Sequence, residues 1–285
     1  MADRIEVNGA NLWYEITGEG EPVLQIHGSG FGHFNFGPAT PILSRQFQCI
    51  DYDQRGYGAS DKPEQHYDLE VWADDAIGLL DALGIEKAHI HGTSMGGMVA
   101  QIVGGKYPDR CASVVVNCAA AKLGTSGQLV FRNWIDIIRM DGVGSRTLAE
   151  LISWQCLSRA YMETDAGKEG IDVIQQILRD ANEPRVMQAA CQAMIDMDLR
   201  DWVKRITSPA LVLGGDEDVM TPWDQGPAGA GQQWIADNLP DGSRYVIKGS
   251  NHSTIFDGTE EHCRAVADFF SKHPIGAAST LQPTA

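Results

Sequence analysis

The first third of the chain alternates short apolar runs with turn residues. Arg4–Val7, Asn8-Gly9 and Leu12–Thr17 read as a β-hairpin, because Asn-Gly supplies the two positive-φ positions of a type I′ turn. Pro22–Ile26 and Phe47–Tyr52 are compact apolar runs, the pattern of strands buried on both faces. Asp68 stands where it can cap a helix whose apolar positions, Trp72, Ala76, Leu79, Leu80 and Leu83, recur at near-helical spacing until Gly84 ends it. A strand over Ala88–His91, a glycine-rich turn, a helix from Met95 to Tyr107 and a strand over Ala112–Asn117 follow. Such strand, helix, strand alternation predicts an α/β fold with a mostly parallel sheet and helices on both faces.

Over residues 122–206 the pattern becomes wholly helical, with apolar positions around Trp134–Ile138, Leu148–Leu157, Ile171–Leu178 and Val186–Met197. These residues read as a helical lid inserted into one core formed by residues 1–121 and 207–285. Strand patterns return at Ala210–Leu213 and Tyr245–Ile247, and Glu260–Phe270 supplies a closing helix. The tail from His273 to Ala285 is rich in small residues and Pro and reads as frayed.

A chain of 285 residues that is 43% hydrophobic and 21% charged has ample material for a globular core. Its formal net charge of −16 argues against nucleic acid, whose phosphates demand clustered cations, and against an anionic membrane surface. No run approaches the roughly 18 apolar residues of a membrane span. Met-Ala-Asp-Arg at the N-terminus is followed by no apolar signal segment, so a cytoplasmic location is expected. The six cysteines are scattered, mostly in apolar stretches, and read as small buried hydrophobes rather than disulfide partners. A small molecule is the expected partner, and a homodimer is left open.

Four segments carry chemistry. Gly92-Thr93-Ser94-Met95-Gly96 falls between a predicted strand and a predicted helix. A nucleophile on such a turn needs strained backbone angles and neighbours without side chains, and Ser94 would sit where helix N–H groups favour developing negative charge. His27-Gly28-Ser29-Gly30 follows a strand end. The N–H groups of Met95 and Ser29 are the expected oxyanion donors, with Gly28 as the alternative second donor; the His27 side chain is expected only to bond a backbone carbonyl. Gly215-Asp216-Glu217-Asp218 follows another strand, and either Asp216 or Asp218 could orient an imidazole. Asp218 reaches further over the sheet and precedes Pro222. No His and no second acidic cluster lies near these carboxylates in sequence, so no metal is expected there. His252 lies after the acid in a polar loop beyond the last strand. The chain order Ser94, Asp218, His252 is that of one serine-hydrolase fold among several.

On these motifs the chain resembles the α/β-hydrolase superfamily over nearly its whole length. Asp51-Tyr-Asp-Gln-Arg-Gly-Tyr-Gly-Ala-Ser-Asp-Lys-Pro63 is similar to that family's segment after the fourth strand. The resemblance implies an eight-stranded, mostly parallel sheet with an inserted helical lid, and its acid loop, Gly-x-x-Asp followed by Pro, places the acid at Asp218. Within the superfamily, Ser94-Met-Gly-Gly-Met98, the segment Arg132–Met140 and Asp196-Met-Asp-Leu-Arg200 resemble 3-oxoadipate enol-lactonases. His27-Gly-Ser-Gly30 and Asn35 resemble meta-cleavage-product hydrolases, which cut C–C bonds and usually carry Trp after the catalytic His, where this chain has Ser253.

The expected reaction is therefore cofactor-free hydrolysis of a carboxylic ester or lactone, with C–C hydrolysis as the alternative and a receptor-like binding protein as the third reading. Phe31, His33, Phe34 and Phe36 crowd the oxyanion loop, and Trp134, Trp154, Tyr161 and Trp202 populate the lid. They predict an apolar or aromatic pocket for a small to medium substrate.

Overall fold

The computed structural model describes residues 2–276. Eight strands form one sheet: β1 (Ala2–Val7), β2 (Ala10–Thr17), β3 (Glu21–Ile26), β4 (Phe47–Tyr52), β5 (Ala88–Thr93), β6 (Cys111–Asn117), β7 (Ala210–Gly215) and β8 (Gly242–Ile247). They lie in the order β1-β2-β4-β3-β5-β6-β7-β8. β2 is antiparallel to both β1 and β4, and the other neighbours are parallel. At the β1–β2 turn Asn8 has φ 50° and Gly9 φ 77°, as a type I′ turn requires.

The helices are α1 (Thr40–Leu43), α2 (Leu69–Ala82), α3 (Met95–Lys106), α4 (Thr125–Asp141), α5 (Arg146–Cys156), α6 (Arg159–Met162), α7 (Asp165–Ala181), α8 (Pro184–Asp196), α9 (Arg200–Val203), α10 (Gln232–Asn238), α11 (Thr254–Asp257) and α12 (Thr259–Lys272). Asp68 caps α2, its Oδ1 accepting from the Val71 N–H at 2.8 Å. Because successive strand residues point to opposite faces, the central strands feed two separate cores. Val23, Val115, Leu211 and Leu213 meet Leu43 of α1 and Val266 and Phe270 of α12. Leu24, Ile90, Val114 and Val212 meet the side of α2, α3 and α10, with Trp72, Leu80, Met98 and Ile235.

Helices α4 to α8 stand between β6 and β7 in the chain and pack on one another, α4 against α8 and α5, and α5 against α7. Helix α9 lies within residues 122–206 but packs on α3 beside the sheet, where a Cβ at Gly105 would come within 2.5 Å of the Trp202 carbonyl oxygen. Several hydrogen bonds bind the insert to the core: the Gly58 N–H donates to the Ala181 carbonyl and the Ser253 N–H to the Cys156 carbonyl, each at 2.8 Å, Asn182 Nδ2 donates to the Gly30 carbonyl at 2.8 Å, and the Ser158 N–H donates to Asp257 at 2.8 Å.

The segment after β4 is fastened from within. Arg55 donates to Asp75 of α2 at 2.7 and 2.8 Å and to the Asn8 carbonyl at 2.9 Å, and the Gln54 N–H donates to His27 Nε2 at 2.9 Å. All six cysteines are buried and unbridged. Among the described residues no helix is long and apolar enough to cross a membrane. Of the tail that reads as frayed, the Ile275 N–H donates to Glu21 at 2.7 Å; residues 277–285 lie outside the described residues.

Candidate active site

Ser94 occupies the turn between β5 and α3 with φ 55° and ψ −121°, a conformation that costs a non-glycine residue energy unless its surroundings impose it. They do so here. The Ser94 N–H donates to the Asn117 carbonyl at 2.9 Å, and α3 starts directly against β3. A Cβ at Gly96 would overlap the Ile26 carbonyl, and one at Gly92 would overlap the Gly96 carbonyl, so only glycine fits at either place.

His252 Nε2 lies 2.9 Å from Ser94 Oγ, and His252 Nδ1 lies 3.1 Å from each oxygen of Asp218. The three side chains come from loops after β5, β7 and β8. Asp218 can only accept, so Nδ1 carries the proton and the Nε2 lone pair faces the Ser94 hydroxyl. The Asp218 carboxylate also accepts from the Met220 N–H and Thr221 N–H at 2.9 Å, the Thr221 hydroxyl at 2.9 Å and Gln232 Nε2 at 3.1 Å. Burial alone would raise its pKa, but the adjacent imidazole and the Thr221 bonds outweigh burial and hold it below the ordinary carboxylate value. Asp216 is exposed and accepts from the Gly249 N–H at 2.7 Å. It is not in contact with His252.

The loop after β3 meets the elbow at Gly28, where a Cβ would lie 3.0 Å from that of Ser94. The Gly28 N–H is already donated to Asn35 Oδ1 at 2.7 Å, so it is committed elsewhere as an oxyanion donor. Ser29 Oγ lies 3.2 Å from the Tyr57 hydroxyl, which in turn lies 3.8 Å from Met95 Sδ. Tyr57, from the segment after β4, thus gathers Ser29 and Met95 around one buried hydroxyl. Met95 is the first residue of α3, where helix N–H groups have no intrahelical acceptor. His27 Nδ1 bonds the Gly28 carbonyl at 2.7 Å, the structural role expected of it.

Over Ser94 lies a small cavity of about 20 Å³, room for about one water. Of the aromatic residues expected to bind substrate, Phe31 and Trp134 line it. The other six do not: Phe36 is buried in the core beside α1 and α12, and Trp202 packs half-buried against the other core. His33 is held by Asp53 at 2.9 Å, with ring centroids 4.0 Å from Trp13 and 4.2 Å from Phe34; Phe34 is exposed. Trp154 is 61% exposed and borders a separate depression with Leu157, Arg159 and Val219. Tyr161 packs half-buried against the hydrophobic core. Phe131, Cys156, Met220 and Ile255 complete the apolar wall. The helical period of α4 places Phe131 near Trp134, but no sequence signal marks Cys156, Met220 or Ile255.

The sequence profile of the alpha/beta hydrolase fold matches residues 21–150. 3-Oxoadipate enol-lactonase 1 of Acinetobacter baylyi is 31% identical over 221 residues, 75% of this chain and 78% of that protein. The chain belongs to the α/β-hydrolase fold family. A crystal structure of the enol-lactonase from Burkholderia xenovorans superposes on this hydrolase with a TM-score of 0.84 at 25% identity, covering 94% of this chain and all of that one. A more local likeness, 38% over 104 residues, is to 2-hydroxymuconate semialdehyde hydrolase of a Pseudomonas species, covering 35% of this hydrolase and 37% of that enzyme.

Beneath the site of this hydrolase runs a buried chain of hydrogen bonds. Asn117 Nδ2 donates to Thr93 Oγ1 at 2.9 Å, and Thr254 Oγ1 donates to Asn117 Oδ1 at 2.9 Å. Thr254 Oγ1 also meets His262 Nδ1 at 3.1 Å, and His262 Nε2 meets His91 Nε2 at 3.2 Å. Thr93 precedes Ser94 and Thr254 follows His252 by two residues, so the network joins the two loops through β6. Sequence reasoning missed Asn117, because its partners lie far along the chain.

Among the described residues, Cys118, Asp218 and His252 form one cluster with metal-ligating atom types. Its chemistry does not fit a metal. Burial pushes the Cys118 thiol well above its ordinary pKa, so it stays protonated, and the Asp218 oxygens are occupied by the donors named above.

Proposed function

We propose that this hydrolase cleaves a carboxylic ester or lactone with Ser94 as nucleophile, His252 as base and Asp218 as the orienting acid. The observation that carries this reading is the Ser94 Oγ to His252 Nε2 distance of 2.9 Å with Asp218 behind the imidazole. His252 takes the Ser94 proton as Oγ attacks the carbonyl carbon, and the N–H groups of Ser29 and Met95 bind the oxyanion. The imidazolium then protonates the leaving alcohol or enol. Water, activated by the same imidazole, releases the acid and restores Ser94.

Cleavage of a C–C bond in a ring-fission product is the second reading, favoured by the His27-Gly28-Ser29-Gly30 loop and by the local likeness to a semialdehyde hydrolase. Ser253 directly after His252 departs from that pattern. Turnover of p-nitrophenyl esters, lactones and dienoate ring-fission products separates the two. Ester or lactone hydrolysis is expected, and it should vanish in Ser94→Ala together with labelling by a fluorophosphonate. A kcat/KM at least a hundredfold higher on ring-fission products would give the C–C reading precedence, and persistent labelling of Ser94→Ala would remove Ser94 as nucleophile.

A further inference from the structure

We infer that the depression beside Trp154 is an outer subsite for an apolar part of the substrate, closed off from Ser94 in this structure by the side chain of Met220. The inference rests on the serine-hydrolase reading above. The cavity over Ser94 has room for about one water, so no ester or lactone can lie against Ser94 until a wall side chain moves. One stretch of that wall separates the cavity from the depression. Cys156, Met220 and His252 line the cavity, and their chain neighbours Leu157, Val219 and Asn251 line the depression. Within this stretch Cys156 Sγ lies 3.4 Å from Met220 Sδ.

The backbone of the shared wall is fastened. Asn251 Nδ2 donates to the Leu157 carbonyl at 3.0 Å, and Asn251 Oδ1 accepts from the Val219 N–H at 3.2 Å. The Ser253 N–H donates to the Cys156 carbonyl at 2.8 Å, and the Met220 N–H donates to Asp218 at 2.9 Å. Main-chain movement here would disturb the carboxylate that orients His252. Rotation of a side chain would not. Methionine is unbranched with three rotatable bonds and adapts to what it packs against, so Met220 can swing away while its N–H stays on Asp218. Other parts of the cavity wall are stiffer. Trp134 is tied to Gln155 at 2.8 Å, Phe131 packs edge-on against it with ring centroids 5.4 Å apart, and Ile255 is β-branched.

The depression suits an uncharged chain. Its volume is about 310 Å³, at the lower end of small-molecule sites. Trp154, Leu157, Met162 and Val219 supply its apolar surface. Trp154 is 61% exposed and Val219 49%, so an alkyl or aryl group laid there would remove apolar surface from water. Its charged residues are one cation and one anion, Arg159 and Glu217, both exposed.

Ethyl hexylphosphonofluoridate tests the assignment on the wild-type protein. Ser94 Oγ bonds to phosphorus as the P–F bond breaks, fluoride leaves, and the Ser94 proton passes to His252. In a crystal structure of the adduct the hexyl chain should cross the wall and lie along Trp154, with Met220 in a new rotamer and its contact with Cys156 broken. A chain that runs out past Phe31, or lies anywhere else with the sulfur contact intact, would overturn the inference. In solution, Trp154→Ala should lower the ratio of kcat/KM for p-nitrophenyl hexanoate to that for p-nitrophenyl acetate at least fivefold; an unchanged ratio would remove the subsite. Hydrolysis of the acetate without any hexyl adduct would also count against it, because an open subsite admits the chain. No adduct, with the acetate also untouched, would instead overturn the serine-hydrolase reading beneath the inference.

Discussion

The imidazole of His252 is held 3.1 Å from both oxygens of Asp218, while Asp216, two residues earlier, turns out to solvent and binds the Gly249 N–H. Asp218→Asn keeps the shape but permits the wrong imidazole tautomer. It should lower kcat by about 10⁴ with the fold intact. Asp216→Asn should stay within a few-fold of wild type. Steady-state kinetics on any cleaved ester decides this, and the reverse pattern would move the acid to Asp216.

Asn117 should matter to stability and to turnover together. Asn117→Ala would leave the buried hydroxyl of Thr93 without its partner and Thr254 with His262 alone, at a cost of about 1–3 kcal/mol for the group left unpaired. Because Thr93 and Thr254 adjoin the Ser94 and His252 loops, kcat should fall more than KM rises. Denaturant unfolding and kinetics of the variant test both effects. A variant as stable and as active as wild type would mean that the network does not position the loops.

Acid should destabilise the fold before most carboxylates titrate. Burial lowers the pKa of His27 to about 4 and that of His262 to about 3, against roughly 6.5 in an unfolded chain. As pH falls through 6.5 the unfolded chain takes up two protons that the folded chain refuses, so unfolding gains ground, by up to about 1.4 kcal/mol per pH unit for each imidazole. Asp51 opposes this. Burial raises its pKa to about 7, so the folded chain holds a proton there that the unfolded chain lacks, a contribution present at low pH and lost as pH rises through about 7. Burial also lowers His89 and His91 and raises Asp75 and Asp257, so four imidazoles stand against three carboxyls between about pH 6.5 and 4. The Tm should therefore drop from pH 7 to pH 5, and His262→Gln should shallow the drop. A Tm that holds or rises over this range would contradict the account.

Two lid tryptophans should behave oppositely. Trp134 is 2% exposed and donates to Gln155 at 2.8 Å, so Trp134→Ala should cost about 3–5 kcal/mol and alter KM. Trp154→Ala, at an exposed site, should stay within about 0.5 kcal/mol. Thermal unfolding of the pair checks the contrast, and equal losses would show that the cavity wall is misplaced.

What the sequence determined by itself is what depends on neighbours along the chain. The Asn8-Gly9 turn, the Asp68 cap, the alternation of strands and helices, and the elbow at Ser94 are local, because backbone sterics and side-chain period act over a few residues. The order of Ser94, Asp218 and His252 was also legible, since each follows a recognisable strand end. Only the tertiary structure decided relations between distant segments. It committed the Gly28 N–H to Asn35, and sent Phe31 and Trp134, but not His33, Phe34, Trp154 or Tyr161, to the cavity. It brought Cys156, Met220 and Ile255 to the wall and joined Thr93, Asn117 and Thr254 beneath it. An aromatic residue has the same propensity on either face of a helix. Which one reaches the site depends on how separate helices and strand ends pack, and that is set by burial across the whole chain.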